Sequence, residues 1–462
     1  MLSFVERDGF SRRTFLRVGS LGLAGLSLQS LMATKAQAAQ NSSEITTGKS
    51  VIFLFQQGGP SQFETFDPKM TAPEGVRCAT GVTQTSLAGV QFGSTLENIA
   101  RYAHRLAIVR SFQTSRGNHD IKPLVCSETL DANIGSIYSR VVGPTRPSGM
   151  PTNSAIFPNA VHAESPGPSN RFGNFASTGS LGPAFAPFIP GAGGQLQKDM
   201  TLNVSRSRLD NRRALLSEVD TLRRQIDNNG TMEAMEGFQS QAIEVVLGGI
   251  SRAFDLSHED PRTVARYDTS HLIRPSLWER KNNKKRYTAN AQTLGKLLLL
   301  ARRLCEAGCG FVTINTDFVW DMHADGNNLG VEPGMQSVGA PFDHAVSAFI
   351  EDIENRGLSD KIMLVMTGEM GRTPRVNNRG GRDHWGRLTP LAIYGGGIRG
   401  GQVIGRSNNN GGEPATNPMT SSNLVATILQ TMFNTTAIRL QDALPSDVSR
   451  LITDGHPIPG LL

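Results

Sequence analysis

The sequence predicts an α/β fold: a mostly parallel sheet with helices on both faces, in a three-layer sandwich that carries a helical insertion. Three observations predict it. Short apolar runs recur along the chain, two of them follow directly on helix-like amphipathic stretches, and glycine-rich turns close several of them. Such runs read as strands buried on both faces, and repeated helix-to-strand succession is the crossover unit of parallel sheets.

The first segment stands outside that fold. Ser11-Arg12-Arg13-Thr14-Phe15-Leu16 places paired arginines before the Gly-diluted apolar stretch Val18–Leu28, and Ala36-Gln37-Ala38 supplies a small-x-small cleavage pattern. Residues 1–39 are expected to be a twin-arginine export signal, and the protein is expected in the periplasm or secreted. A retained signal and a basic surface helix are the alternatives. The apolar stretch falls short of the ~20 residues a spanning helix needs. No later segment reads as transmembrane, so the mature chain is expected to lack a span.

Residues 1–38 carry a net charge of +3, half of the +6 of the 462-residue chain. The remainder is mildly basic and has neither basic-aromatic tracts nor zinc-finger spacing, which excludes nucleic acid as an expected partner. The four cysteines, Cys78, Cys126, Cys305 and Cys309, form no Cys-x-x-Cys pair. Cys305 and Cys309 are expected as two small buried residues, a bridge between them being the alternative.

After a polar linker at 40–49, residues 40–462 are expected to form one domain. Its predicted strands are Val51–Phe55, Leu106–Val109, Phe311–Ile314, Ile362–Met366 and Leu391–Tyr394, with helices over Leu294–Ala307 and Phe342–Glu354. Two stretches break this rhythm at about 158–260. Residues 158–200, rich in Gly, Pro, Ser and Asn, predict a long surface loop. Leu209, Leu215, Val219, Leu222 and Ile226 recur at helical spacing and predict, with Met232–Ala253, an inserted helical pair. That insertion is where substrate specificity or a protein partner is expected.

Ligands of open α/β sheets gather beyond the carboxyl ends of strands. After the first strand stand Gly58-Gly59-Pro60-Ser61, Glu64, Thr65 and Asp67; after the second, Thr114, Ser115, Arg116 and His119. After the third stand Asp321 and His323; after the fourth, Glu369 and Arg372; before the fifth, Arg382, Asp383 and His384. Three of the nine histidines thus lie at strand ends. Mixed histidine and carboxylate ligation suits Zn²⁺, Mn²⁺ or iron, and all-oxygen ligation suits Ca²⁺ or Mg²⁺. Arginine forks suit phosphate or sulfate. Each piece alone is ordinary, because Gly-Gly-Pro-Ser is a common turn and Arg382-Asp383 a common ion pair. Their joint placement is what points to a shared site. Ser61, Thr65, Thr114 and Ser115 are all candidate nucleophiles.

These residues also carry a resemblance. Gly58–Lys69, Trp320-Asp321-Met322-His323, Gly368–Pro374, Gly381–Trp385 and Gly395–Gly405 resemble the motifs of the bacterial family called domain of unknown function 1501, over nearly the whole mature chain. That family is similar to the alkaline phosphatase and sulfatase superfamily. The resemblance implies an alkaline phosphatase-like sandwich that binds a divalent metal (Zn, Mn or Ca) and hydrolyses phosphate or sulfate esters of an anionic small molecule or polymer. It implies Asp321, His323, Glu369 and His384 as metal ligands; the strand-end residues add Asp383 as an expected ligand, Ser61, Thr65 and Arg372 as expected in catalysis, and Arg116, His119 and Arg382 as expected on substrate. Gln56 and Gln57 depart from the superfamily's metal-binding Asp, and Ser61-Gln62-Phe63-Glu64 departs from the family's Ser-His-x-Asp. A non-catalytic binding or assembly protein with a degenerate metal site is therefore the alternative, as is a purely structural metal.

Overall fold

The computed structural model describes residues 45–191 and 251–462. The expected export signal and most of the expected helical insertion lie outside the described residues. Seven strands form the central sheet: β1 (Ser50–Phe55), β4 (Leu106–Val109), β5 (Asn153–Ile156), β6 (Phe311–Asn315), β7 (Ile362–Thr367), β10 (Leu391–Gly395) and β11 (Gln402–Ile404). Their order is β11-β4-β10-β7-β1-β6-β5. Two hairpins lie outside the sheet. One joins β2 (Val82–Gln84) to β3 (Gln91–Gly93), and the other joins β8 (Gly371–Arg372) to β9 (His384–Trp385).

All five predicted strands form, within a residue or so of their expected ends. β5 and β11 were not foreseen: Asn153-Ser154-Ala155-Ile156 is half polar, and Gln402-Val403-Ile404 has only two apolar residues. β10 is the antiparallel member of the mostly parallel sheet, pairing antiparallel with both β7 and β4. Its amino end therefore meets the carboxyl ends of its neighbours. Leu391 lies opposite Thr367 and Val109, and Phe55 lies opposite Asn315 and Thr367. This one reversal brings the segment before β10 to the edge that the other segments reach after their strands.

The sheet separates two cores because side chains alternate across it. Ile52 and Leu54 face one side, with Leu294, Leu298 and Leu304 of α2 (Lys284–Glu306) and Phe342, Val346 and Phe349 of α3 (Ala340–Asn355). Val51, Phe53 and Phe55 face the other, with Ile134 and Ile137 of α1 (Ile134–Val142), Leu424 and Ile428 of α4 (Ser421–Met432) and Val448 of α5 (Ser446–Thr453). This is the three-layer arrangement. Each fully buried aliphatic or aromatic side chain contributes about 1.5–3 kcal/mol. α2 begins ten residues before its predicted start, because its first turns are charged and only its later half is apolar.

Residues 158–191 run as loop and single 3₁₀ turns, as expected. Cys305 and Cys309 are free and buried, and burial pushes the Cys309 thiol up to about 11. No described helix is long and apolar enough to cross a membrane.

Candidate metal centre

The carboxyl-edge loops converge on Asp321, which is 2 % exposed. Gly58 and Gly59 begin the convergence, with φ of +114° and +83°. A Cβ on Gly58 would lie 2.5 Å from the Asp321 amide nitrogen, so only glycine lets the first loop pass here. The β8–β9 hairpin pairs Arg372 with His384 and carries both side chains to the same carboxylate.

Around Asp321, Oδ2 lies 3.0 Å from His323 Nε2 and accepts from Asn328 Nδ2 at 2.9 Å. Oδ1 accepts from Arg372 at 2.7 Å and lies 3.3 Å from His384 Nε2. His119 Nε2 lies 3.4 Å from Oδ2 without hydrogen-bond alignment, and among the described residues it has no hydrogen-bond partner. Its Nδ1 meets Glu369 Oε1 at 2.9 Å, and the Gly58 amide donates to the same oxygen at 2.9 Å. Glu369 Oε2 is buried without a hydrogen-bond partner among the described residues.

Burial disfavours the charged form of Asp321. The approach of His119, His323 and His384, with the Arg372 guanidinium, outweighs it and holds the carboxyl well below the usual carboxylate range. Burial alone would lower His119, but Asp321 and Glu369 raise it. Burial raises Glu369, and His119 and the Gly58 amide offset only part of that.

His119, Asp321 and His384 each offer a ligand atom, and these atoms lie within 4.8 Å of one another, so together they could hold a metal ion. The donor set fits one. A carboxylate on Nδ1 fixes the histidine tautomer and turns Nε2 toward an ion, and here that nitrogen is buried with no hydrogen-bond partner among the described residues. Two imidazoles and one carboxylate suit Zn²⁺ or Mn²⁺ better than Ca²⁺.

The structure redistributes the expected roles. His119, expected on substrate, stands among the residues that could hold a metal. His323 touches Asp321 from outside the triad, and Glu369 orients His119. Asp383 is exposed, accepts from Asn377 at 3.0 Å and does not reach the cluster, because its side chain leaves β9's approach on the solvent side. Arg372 is fully buried. Its guanidinium meets Gly58 O, Gly59 O, Trp320 O, Arg382 O and Asp321, leaving nothing turned toward an incoming anion. Arg382 is also fully buried, forked onto Glu64 and surrounded by the carbonyls of Val76, Arg77, Thr373 and Pro374. Both arginines are supports.

Of the hydroxyls, Ser61 donates to Glu64, Thr65 to the Ser61 carbonyl at 2.7 Å, and Thr114 to the Glu369 carbonyl at 2.6 Å. Ser115 is exposed in a left-handed conformation, and its amide donates to Gly386, two residues past His384. Its hydroxyl has no hydrogen bond among the described residues. Arg116 is exposed and lines a cleft of about 390 Å³ with Asp120, Lys122 and Phe172.

Asn328 went unforeseen. It lies in Asp325-Gly326-Asn327-Asn328, a turn sequence with no metal-site pattern, and only the fold returns its amide to Asp321. Phe318 was also missed. Its ring lies 4.6 Å from that of His119, and Asp317 and Phe318 both have positive φ, +59° and +60°.

Among solved structures, the chain is similar at 9 % identity to one from Bacteroides thetaiotaomicron reported with glycosaminoglycan metabolism, covering 88 % of this chain and 75 % of that one with a TM-score of 0.36. A Pseudoalteromonas sulfatase matches at 12 % identity over 86 % and 69 % with a TM-score of 0.29. A phosphonate monoester hydrolase from Silicibacter pomeroyi matches at 12 % over 88 % and 77 % with a TM-score of 0.31. No curated protein matches. Likeness this distant leaves activity to the site's own residues. The sequence relation is firmer: residues 48–458 match the family described as protein of unknown function, DUF1501, and the chain belongs to that family.

Proposed function

We propose that the protein is an exported, metal-dependent hydrolase of phosphate or sulfate esters. The observation that carries this reading is the convergence of His119, Asp321 and His384 at one sheet edge, with His119 Nε2 lacking a hydrogen-bond partner among the described residues. A divalent ion held there would polarise an ester oxygen and lower the pKa of a hydroxyl or water nucleophile. The protein's part is to hold that centre in place. Arg372, His323 and Asn328 orient Asp321, and Glu369, fixed by the Gly58 amide, orients His119. Ser115 is the favoured hydroxyl nucleophile, because Ser61, Thr65 and Thr114 are committed to other partners. Arg116, free at the cleft, is the favoured cation for an anionic substrate. Export rests on the paired arginines and the apolar stretch before residue 39.

Elemental analysis and aryl phosphate and aryl sulfate assays of the mature protein test the proposal. The wild type is expected to bind a divalent ion and turn over at least one ester. Asp321→Ala is expected to lose both, and Ser115→Ala to lose turnover but keep the metal. A protein that takes up no metal on reconstitution with Zn²⁺ or Mn²⁺ overturns it.

One observation favours a second reading, a binding protein with a degenerate centre. Gln57, where the superfamily places a metal-binding Asp, accepts from the Asn315 amide at 3.1 Å, and Gln62 clasps the backbone of Arg372 and Gly411. Metal uptake with no turnover of any ester would support that reading.

A further inference from the structure

Beside the histidine–carboxylate centre stands a four-layer wall that neither the catalytic reading nor the sequence motifs explain. Phe172 and Phe318 stack with centroids 4.3 Å apart and planes 17° from parallel. The Arg171 guanidinium carbon lies 5.1 Å from the Phe172 ring centre, and that of Arg286 lies 5.8 Å from the Phe318 ring centre. The order is cation, ring, ring, cation. Both rings also contact the His119 imidazole, at 5.3 and 4.6 Å.

The wall is held at a conformational cost. Asp317 and Phe318 both occupy the left-handed region, where each non-glycine residue is disfavoured. Consecutive strained residues persist only where the surroundings impose them, and they cluster at functional sites. Here the strain sets Phe318 against His119 and brings Asp317 to 3.5 Å from Arg286. Arginine on an aromatic face keeps its in-plane N–H donors free, so stacking orients the fork without using it up. Arg171 is exposed; its amide donates to Ser169 Oγ at 3.4 Å, and its guanidinium has no hydrogen bond or ion pair among the described residues. Arg286 is half-buried, with one long contact to Asp317. Phe172 also borders the 390 Å³ cleft that Arg116 lines.

We propose that this wall is an anion subsite. On opposite faces of the ring pair, Arg171 and Arg286 each take a further negative group of the substrate while the reacting ester lies at the His119–Asp321–His384 centre. The preferred substrate is then a di- or polyanion rather than a simple monoester. The proposal rests on the hydrolase reading for the identity of the neighbouring centre, but its binding test does not depend on turnover.

The test is calorimetric binding of tripolyphosphate and of orthophosphate to the metal-reconstituted mature protein. Wild type is expected to bind tripolyphosphate the more tightly. Arg171→Ala/Arg286→Ala is expected to weaken tripolyphosphate about tenfold or more and to change orthophosphate little. Arg171→Lys/Arg286→Lys is expected to restore part of the loss, since lysine keeps the charge but not the stacked fork. Arg171→Ala alone covers any instability from the Arg286 change, because the Arg171 side chain is exposed and has no hydrogen bond or ion pair among the described residues; it is expected to lose part of the same preference. Unchanged tripolyphosphate binding in the alanine variants overturns the subsite, as does no tripolyphosphate binding by wild type. Failure of lysine to restore any of it assigns the loss to packing and overturns the subsite as well. Selective loss in a protein that hydrolyses no ester would keep the subsite and discard the hydrolase reading. Hydrolysis with unchanged tripolyphosphate binding would do the reverse.

Discussion

Two buried clusters meet behind the Gly58-Gly59 turn, and both are built from carboxylates and basic side chains. In the first, Glu64 and Arg382 are fully buried and matched nearly donor for acceptor: Glu64 accepts from Arg382, Ser61 and the Ala79 amide, and Arg382 spends its remaining donors on four carbonyls. In the second, Asp321 draws three histidines toward one carboxylate, while His119 Nε2 and Glu369 Oε2 are buried without hydrogen-bond partners among the described residues. A buried polar group without a partner costs free energy unless something else supplies the partner. Residue type alone therefore does not mark the site. Incomplete hydrogen bonding does, and the saturated cluster next to it is the scaffold that holds the loops.

Breaking the saturated cluster should have the largest effect. Arg382→Ala leaves Glu64 buried without its counter-charge, and the expected loss is about 3–5 kcal/mol in urea unfolding, with metal added or not. A loss much below that would mean the cluster is not the support described here.

The strained approach to the unsaturated cluster should show itself in pH dependence. Burial pushes the Asp317 carboxyl up to about 6 from an ordinary 3.8, with Arg286 offsetting part of it. The folded protein therefore holds this proton more tightly than the unfolded chain does. Its contribution is fully present below about pH 4 and is lost as pH rises through about 6. Stability attributable to this group should fall by up to roughly 2–3 kcal/mol across that window. Asp317→Asn should flatten that segment of the stability profile, measured by urea midpoints at successive pH values. An unchanged profile would remove Asp317 from the account.

The smallest effect sharpens the contrast. Asn328→Ala removes one N–H from Asp321 and should lower metal affinity about 10–100-fold, while stability of the metal-free protein changes by about 1 kcal/mol. Competition with a chelator reads the first and thermal unfolding the second. Equal effects on both would make Asn328 ordinary scaffold.

The sequence by itself determined the α/β class and five of the seven sheet strands, because runs such as Val51–Phe55 and Ile362–Met366 are apolar at every position and need no partner to be read. It also placed Asp321, His323 and Glu369 at one edge, since residues that follow parallel strands share an edge by construction, whereas His384, which precedes β10, reaches that edge only through the strand's reversal. It could not separate ligand from support. Arg372 and Arg382 look like anion clamps in one dimension and become buried struts only when carbonyls distant in sequence close around them. The reversal of β10, the return of Asn328 to Asp321 and the Phe172–Phe318 stack beside His119 are contacts between distant segments. Local propensity carries no record of them, so only tertiary packing decided which polar atoms were satisfied and which were left open for chemistry.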